Sequence, residues 1–312
     1  MAETTEEEFL KKHIDSIESN EKNNQIFDAV VQPTMNTSRT TDLQFLSLDI
    51  NELPCGKFYP QGTALMVRAA QVREIQSYSM VDDNNFYDIV EKMNDMLQAC
   101  VRVKYPDGKI GTYLDIKDQD RIYLIFLIRE LTFQQGNALT VKVKCSCGSE
   151  NTIELARKNF RFHEIDEKVL QFYDRGKNAF VFNTINNKQF EITPPNIGLQ
   201  KSFTEYIIRE NNEKRSPNLS FLKIVPYMLN GKNSISYEGI KAKLNEFEDP
   251  NITDDISFQF LNAAVSKMTF GIKELSKLCS SCGVEVHTEM TFPNGASGIF
   301  LVDSSFEAFI KK

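Results

Sequence analysis

The sequence predicts an α+β protein built from helices and short antiparallel strands in two related halves. Three observations support this prediction. Helical and strand-like apolar periodicities alternate along the chain, two apolar helical segments resemble each other, and each of those segments is followed by a pair of closely spaced cysteines.

The two similar segments are residues 118–133 and 255–270. Each begins with an aspartate suited to a helix N-cap, continues as an apolar helix and ends in Thr-Phe. Upstream, residues 65–72 and 190–197 both change from a strand pattern to a helix start, and Pro194-Pro195 forces that break in the second copy. We interpret the two series as a diverged duplication, although two unrelated helix-and-cysteine units would also share these features.

Other elements follow from local patterns. Residues 86–97 carry apolar side chains at helical spacing, whereas residues 139–143 alternate as a strand that leads into the first cysteine pair. The remaining predictions are a turn at 105–108, helices at 221–229 and 237–247, and a turn at 292–295.

The cysteine pairs are Cys145-Ser-Cys147-Gly and Cys279-Ser-Ser-Cys282-Gly, and a strand-like run follows each. A strand, a tight cysteine turn backed by glycine and a second strand is the pattern of a zinc knuckle. Two such knuckles supply the four thiolates that a structural Zn²⁺ binds in a tetrahedron. Glycine allows the chain to turn with a positive φ after the second cysteine. The sequence therefore predicts a composite four-cysteine zinc ribbon that joins the two halves.

The Cys-x-Cys spacing of the first pair is unusual. On an extended segment, Cys145 and Cys147 would point to the same face and chelate together. Four free thiols without metal and disulfides are the alternatives, and His287 is a substitute ligand should one of these two cysteines not bind. The N-terminus has no basic and apolar signal-peptide regions, which favours metal binding over disulfides. Cys55 and Cys100 are interpreted as small apolar residues.

The two pairs are separated by 131 residues. Closing so long a loop costs about 4 kcal/mol. A structural zinc contributes about 10–16 kcal/mol, so the metal would hold distant segments together with a surplus.

Composition restricts the function. A net charge of −7 argues against a polyanion-binding protein, and the longest apolar run, residues 122–128, is too short to span a membrane. Lysines 142, 144, 273 and 277 lie near the cysteines; we interpret them as solvating the ribbon rather than binding nucleic acid. The predicted organisation is an acidic adaptor arm at 1–45, the two halves at 46–155 and 156–292, and a C-terminal tail at 293–312.

The sequence contains no Gly-rich phosphate loop, nucleophile elbow or His-Glu-x-x-His motif. We assign no catalytic role to its three histidines, His13, His163 and His287. A zinc with four thiolates has no open coordination position for water. We therefore expect a protein that is not an enzyme and has no small-molecule substrate.

Several segments carry a resemblance to a known family. They are Leu53-Pro54, Phe58-Tyr59-Pro60-x-Gly62, residues 65–68, Val72-Arg73-Glu74, residues 113–116, 120–124 and 128–133, and the two cysteine pairs. Over residues 50–290 the chain resembles the baseplate hub and hub-assembly proteins of T-even-like contractile-tailed bacteriophages. The Cys-x-Cys spacing departs from the more regular cysteine pairs of that family.

The resemblance implies a non-enzymatic part of the phage tail baseplate. Its partners would be other baseplate and tail proteins, and it would be assembled in the host cytoplasm and retained in the virion. Two alternatives stay open: a transient hub-assembly factor absent from the virion, and a zinc-ribbon regulator that binds nucleic acid.

Overall fold

Helices and short antiparallel strands alternate along the chain, as the sequence periodicity predicts. The structure, a computed structural model, describes residues 44–133, 139–184, 186–292 and 295–300. The chain divides into two units, Met1–Leu43 and Gln44–Lys312, and every described residue belongs to the second. Of the predicted arm (1–45), only residues 44–45 are described, and of the predicted tail (293–312), only residues 295–300.

The described residues contain eight α-helices and twelve strands. The helices are α1 (Val72–Ser79), α2 (Phe86–Cys100), α3 (Arg121–Thr132), α4 (Glu167–Leu170), α5 (Ile197–Asn212), α6 (Leu219–Ile224), α7 (Tyr237–Glu248) and α8 (Asp255–Ser266). The strands are β1 (Leu46–Leu48), β2 (Ala64–Val67), β3 (Val101–Lys104), β4 (Ile110–Gly111), β5 (Thr140–Lys144), β6 (Glu150–Glu154), β7 (Phe160–Phe162), β8 (Tyr173–Asp174), β9 (Ala179–Asn183), β10 (Gln189–Ile192), β11 (Ile272–Leu278) and β12 (Glu285–Thr288).

The strands form four small sheets, and all of their pairings are antiparallel. One sheet has the order β1-β2-β3-β4, a second β10-β9-β8, and a third β12-β11-β7, while β5 and β6 form a separate hairpin. The fold is therefore mixed α+β with short antiparallel strands, as predicted.

Helix α3 lies in the centre of the core. Its long apolar run is buried from Tyr123 to Arg129, and Phe126 packs edge-on against Phe160 at 5.4 Å between ring centroids. Across the described part of the chain, no helix combines the length and apolarity needed to cross a membrane. The long apolar run of α3 is explained by burial of this helix on all sides.

One continuous core crosses both predicted halves. The ring of Phe58, from the first half, lies 5.8, 5.6 and 4.9 Å from the rings of Tyr173, Phe180 and Phe270, all from the second. Each such aromatic pair adds about 0.5–1.5 kcal/mol beyond its area burial. The two predicted halves are therefore packed together without any contribution from a metal.

Most of the predicted helices and turns are confirmed, and one predicted helix differs in its bounds. Helix α2 and helix α7 form as predicted, and Gly108 has a φ of +86° in the turn between β3 and β4. The helix predicted at 221–229 begins as α6 at Leu219. It then tightens into a 3₁₀ turn over Val225–Met228, which has Pro226 in its first turn and no proline N–H to donate.

The prediction that aspartates 118 and 255 cap the two similar helices is wrong by one or two residues. Asp254 caps α8 by accepting a hydrogen bond from the Ser257 N–H at 2.8 Å. Asp120 occupies the N-cap position of α3, after a 3₁₀ turn that begins at Asp118. Its carboxylate makes no cap because it accepts hydrogen bonds from another part of the chain.

Candidate metal centre

Both cysteine pairs lie in the turns of β-hairpins. In the hairpin of β5 and β6, the Cys145 N–H donates to the Ser149 carbonyl and the Gly148 N–H donates to the Cys145 carbonyl, each at 2.9 Å. The second hairpin, formed by β11 and β12, repeats this arrangement. There the Cys279 N–H donates to the Val284 carbonyl at 2.8 Å, and the Gly283 N–H donates to the Cys279 carbonyl at 2.9 Å. The predicted order of strand, cysteine turn and strand is confirmed for both pairs.

The expected geometry of the first pair is wrong. Ser146 and Cys147 lie in the hairpin turn, not on an extended segment. The Cys145 and Cys147 side chains therefore converge because the chain reverses between them. A two-residue spacing is sufficient for this convergence because a tight turn brings the atoms on either side of its apex close together.

The glycines behind the cysteines adopt the predicted positive φ angles. Gly148 has a φ of +91° and Gly283 a φ of +73°. In this region a Cβ atom meets the neighbouring backbone, which makes glycine the favoured residue.

Replacing Gly283 with alanine is expected to destabilise the protein by about 1–2 kcal/mol. Open space surrounds the position that the added Cβ would take, so the cost comes from the backbone conformation alone. Urea unfolding of G283A beside the wild-type protein measures it. The matched control is Gly271→Ala, where φ is ordinary and the nearest atom lies 3.5 Å from the added Cβ. Equal stability of both variants would contradict the strained-turn account.

The two hairpins bring all four sulfurs together. The Sγ atoms of Cys145 and Cys282 are 3.6 Å apart, those of Cys147 and Cys279 are 3.8 Å apart, and all four lie within 4.8 Å of one another. Four sulfurs at 2.3 Å from a central zinc would be separated by about 3.8 Å. A disulfide requires about 2.05 Å, and all four cysteines are free thiols. The donor set and its spacing fit a tetrahedral metal ion.

This cluster is built from both halves of the sequence, across 131 intervening residues. No family model, curated protein or solved structure matches the chain.

Polar side chains beside the sulfurs extend the site. The Ser149 hydroxyl oxygen lies 3.0 Å from Cys147 Sγ and 3.1 Å from Cys279 Sγ. The Asn151 side chain donates to Cys279 Sγ at 3.4 Å and accepts from the Ser280 N–H at 3.1 Å. These contacts link the first hairpin to the second. The sequence analysis missed both residues, although two uncharged polar residues within three positions of the first knuckle are a usable signal.

The same contacts control ionisation of the thiols. The Ser149 hydroxyl and then the N–H groups of Ser281 and Cys282 lower the pKa of Cys279 to about 5. The Ser149 hydroxyl also lowers the pKa of Cys147. At Cys282, the N–H of Val284 favours the thiolate, but the neighbouring Cys147 and Cys145 sulfurs outweigh it and raise the pKa to about 12. A divalent cation would relieve this crowding of negative charge, because thiolates are the form that binds metal.

The cluster lies at the protein surface, with two buried and two exposed members. Cys145 and Cys279 are 4% and 3% exposed, whereas Cys147 and Cys282 face solvent. This arrangement leaves one side of the site open for a metal ion to enter. Each hairpin contributes one buried and one exposed cysteine.

The candidate ligand His287 lies outside the cluster. It is on β12, where its Nδ1 is 3.2 Å from a Glu274 carboxylate oxygen. His163 lines a different surface depression, and its backbone N–H donates to the Gly271 carbonyl at 3.2 Å. His13 lies outside the described residues.

Three of the four lysines near the ribbon have partners close by. Lys142 pairs with Glu150 at 3.3 Å, Lys273 pairs with Glu274 at 3.7 Å, and Lys277 donates to the Thr152 carbonyl at 3.1 Å. These contacts favour the interpretation that the lysines solvate and brace the ribbon.

Proposed function

We propose that Cys145, Cys147, Cys279 and Cys282 bind one structural Zn²⁺ ion. The supporting observation is the convergence of four sulfurs, from two hairpins distant in sequence, at the spacing of a tetrahedral thiolate site. The ion would lock the β5–β6 hairpin onto the β11–β12 hairpin. Because four thiolates fill the zinc coordination sphere, this metal would stabilise structure and would not activate water.

We also infer that the two halves are related by duplication. In support, each half has a strand that is followed by a helix after a connection of the same length. Strand β2 ends at Val67 and helix α1 begins at Val72, and strand β10 ends at Ile192 and helix α5 begins at Ile197. Each half also ends in a helix followed by a cysteine hairpin. Strands β3 and β4 have no counterpart between α7 and α8, so the first half carries an insertion in this scheme.

We propose that the protein is a non-enzymatic structural component of a contractile phage tail baseplate, in the hub region. The support is the sequence resemblance, together with the positions of its most specific segments. Those segments are Phe58-Tyr59-Pro60 and the Arg-Glu-Leu-Thr-Phe stretch at 129–133. Phe58 and Tyr59 of the first are 3% and 5% exposed, and Arg129 of the second is 6% exposed. These residues build the core, so their resemblance concerns the fold as a whole. A metal-braced body is suited to holding neighbouring subunits by protein–protein contacts.

The adaptor role of residues 1–45 remains part of this proposal. An acidic segment with few apolar residues gains too little from burial to offset its own ordering entropy and needs a partner's surface. The partners would be other baseplate and tail proteins.

Mass spectrometry of purified phage particles tests the function. We expect the protein to be retained in finished particles at a fixed ratio to other baseplate proteins. The control is the lysate from which the particles are purified, where a transient assembly factor would also be found. A protein needed for particle formation but absent from finished particles would support the assembly-factor alternative. Co-purification with nucleic acid instead of particles would support the regulator.

A further inference from the structure

A cleft with a volume of about 330 Å³ lies away from the cysteine cluster. One wall comes from the first half and includes Tyr59 and Lys117; the other comes from the second half and includes Pro194, Leu229 and Asn233. The walls meet at an isolated antiparallel bridge between residues 117 and 196. A cleft lined by apolar groups and a few polar groups is a common position for a ligand.

Lys117 supplies a half-buried cation to this cleft. Its Nζ donates to the Pro194 carbonyl at 2.8 Å, and its backbone N–H donates to the Tyr59 hydroxyl at 2.8 Å. Burial lowers the pKa of Lys117 to about 8, so the side chain is an ammonium at neutral pH. Among the described residues, no carboxylate oxygen lies within 4.0 Å of its Nζ. An ammonium has three donor hydrogens, and the Pro194 carbonyl accepts one of them.

The charges around the cleft are predominantly positive. Lys177 and Lys232 also line it, and Asp115 is the only acidic residue in its described lining. The Asp115 carboxylate already accepts hydrogen bonds from the Thr112 N–H at 2.7 Å and from the Asn233 side chain. Lys177 pairs with Glu191 at 2.5 Å, whereas the half-buried Lys117 ammonium has donors beyond the one that the Pro194 carbonyl accepts.

We propose that this cleft binds a carboxylate, with the Lys117 ammonium as its counter-ion and the prolines and Leu229 as its apolar wall. A volume of about 330 Å³ equals the space of about ten water molecules, which holds a carboxylate with a short apolar stem. Phosphate fits the chemistry less well, because its second negative charge would face Asp115, and Lys177 is already paired with Glu191. The carboxylate comes either from a small free acid or from an acidic side chain of a partner protein.

Amide chemical shifts of the full-length protein, titrated with glutarate, test this site. We expect saturable shifts confined to amides around Lys117, residues 194–199 and residues 229–233. Glutaramide, the neutral analogue of the same size, should cause none. Lys117→Met should weaken glutarate binding by tenfold or more, because the charged partner of the carboxylate is lost. Lys142→Met, at an exposed lysine on β5, is the matched control and should bind as the wild type does.

A blocked tetraglutamate peptide, compared with its tetraglutamine analogue, distinguishes the two sources. Binding of the glutamate peptide about tenfold tighter than glutarate would identify an acidic partner segment, and equal affinity would identify a small free acid. The proposal is overturned if wild-type shifts do not saturate or are equal for glutarate and glutaramide. It is also overturned if folded Lys117→Met binds normally. The wild-type comparison of the two probes remains decisive even if the variant does not fold.

Discussion

Replacement of Cys279 with serine is expected to abolish stoichiometric zinc binding and to destabilise the folded protein by more than about 4 kcal/mol. Cys279 is buried, and its sulfur contacts Cys147, Ser149 and Asn151 of the other hairpin. A serine oxygen is a poorer zinc ligand, and a three-ligand site loses most of the folding energy that a structural zinc supplies. The link between the hairpins would then depend on hydrogen bonds alone.

Zinc content of the purified variant and its urea unfolding curve measure both effects. Ser281→Ala is the matched control, because Ser281 is exposed in the same turn and its side chain is not among the four ligands. The control should keep its zinc and its stability. A C279S protein with full zinc and wild-type stability would contradict a four-thiolate site.

Replacement of Asp120 with alanine is expected to cost about 2–4 kcal/mol. Asp120 is fully buried, and its carboxylate accepts hydrogen bonds from the Cys55 N–H and the Tyr59 hydroxyl, both at 2.8 Å. Alanine would leave both donors without their acceptor. Asp120→Asn is the matched control, since it keeps the shape and one acceptor, and it should lose less stability in urea unfolding.

The same residue makes stability depend on pH. Burial raises the pKa of Asp120 to about 7, above its ordinary value of 3.8. As the pH rises from about 4 to about 7, the unfolded chain ionises first, so ionisation favours unfolding and the contribution of Asp120 to stability falls. The free energy of unfolding of the wild type minus that of D120N should therefore decrease across this pH range. A difference that is constant or rises with pH would contradict this account.

Local features of the fold are predictable where a short sequence pattern determines them. The helical spacing of residues 86–97 gives α2, and glycine behind each cysteine pair gives both hairpin turns. Patterns that depend on distant partners are not predictable in this way. Asp120 occupies the N-cap position of α3, yet its carboxylate accepts hydrogen bonds from Cys55 and Tyr59, more than 60 residues earlier. Cys55, expected to be an ordinary small apolar residue, uses its backbone N–H in that network.

In the candidate metal site, too, the features set by a local pattern were predictable and those set by distant partners were not. Residue type and spacing identified all four cysteines, because thiolate chelation requires them in close pairs. The contacts of Ser149 and Asn151 with Cys279 appear only when the two hairpins pack together. The turn geometry of Cys147 was also missed, since Cys-x-Cys permits both an extended and a reversed chain. The pairing of His287 with Glu274 depends on the register of β11 with β12.

X-ray absorption at the zinc K-edge of the purified protein tests the central claim most directly. The account predicts one zinc per chain, surrounded by four sulfur atoms at about 2.3 Å. Fewer than about 0.1 zinc per chain, or a zinc bound mainly by nitrogen and oxygen, would contradict the four-thiolate site that joins the two hairpins.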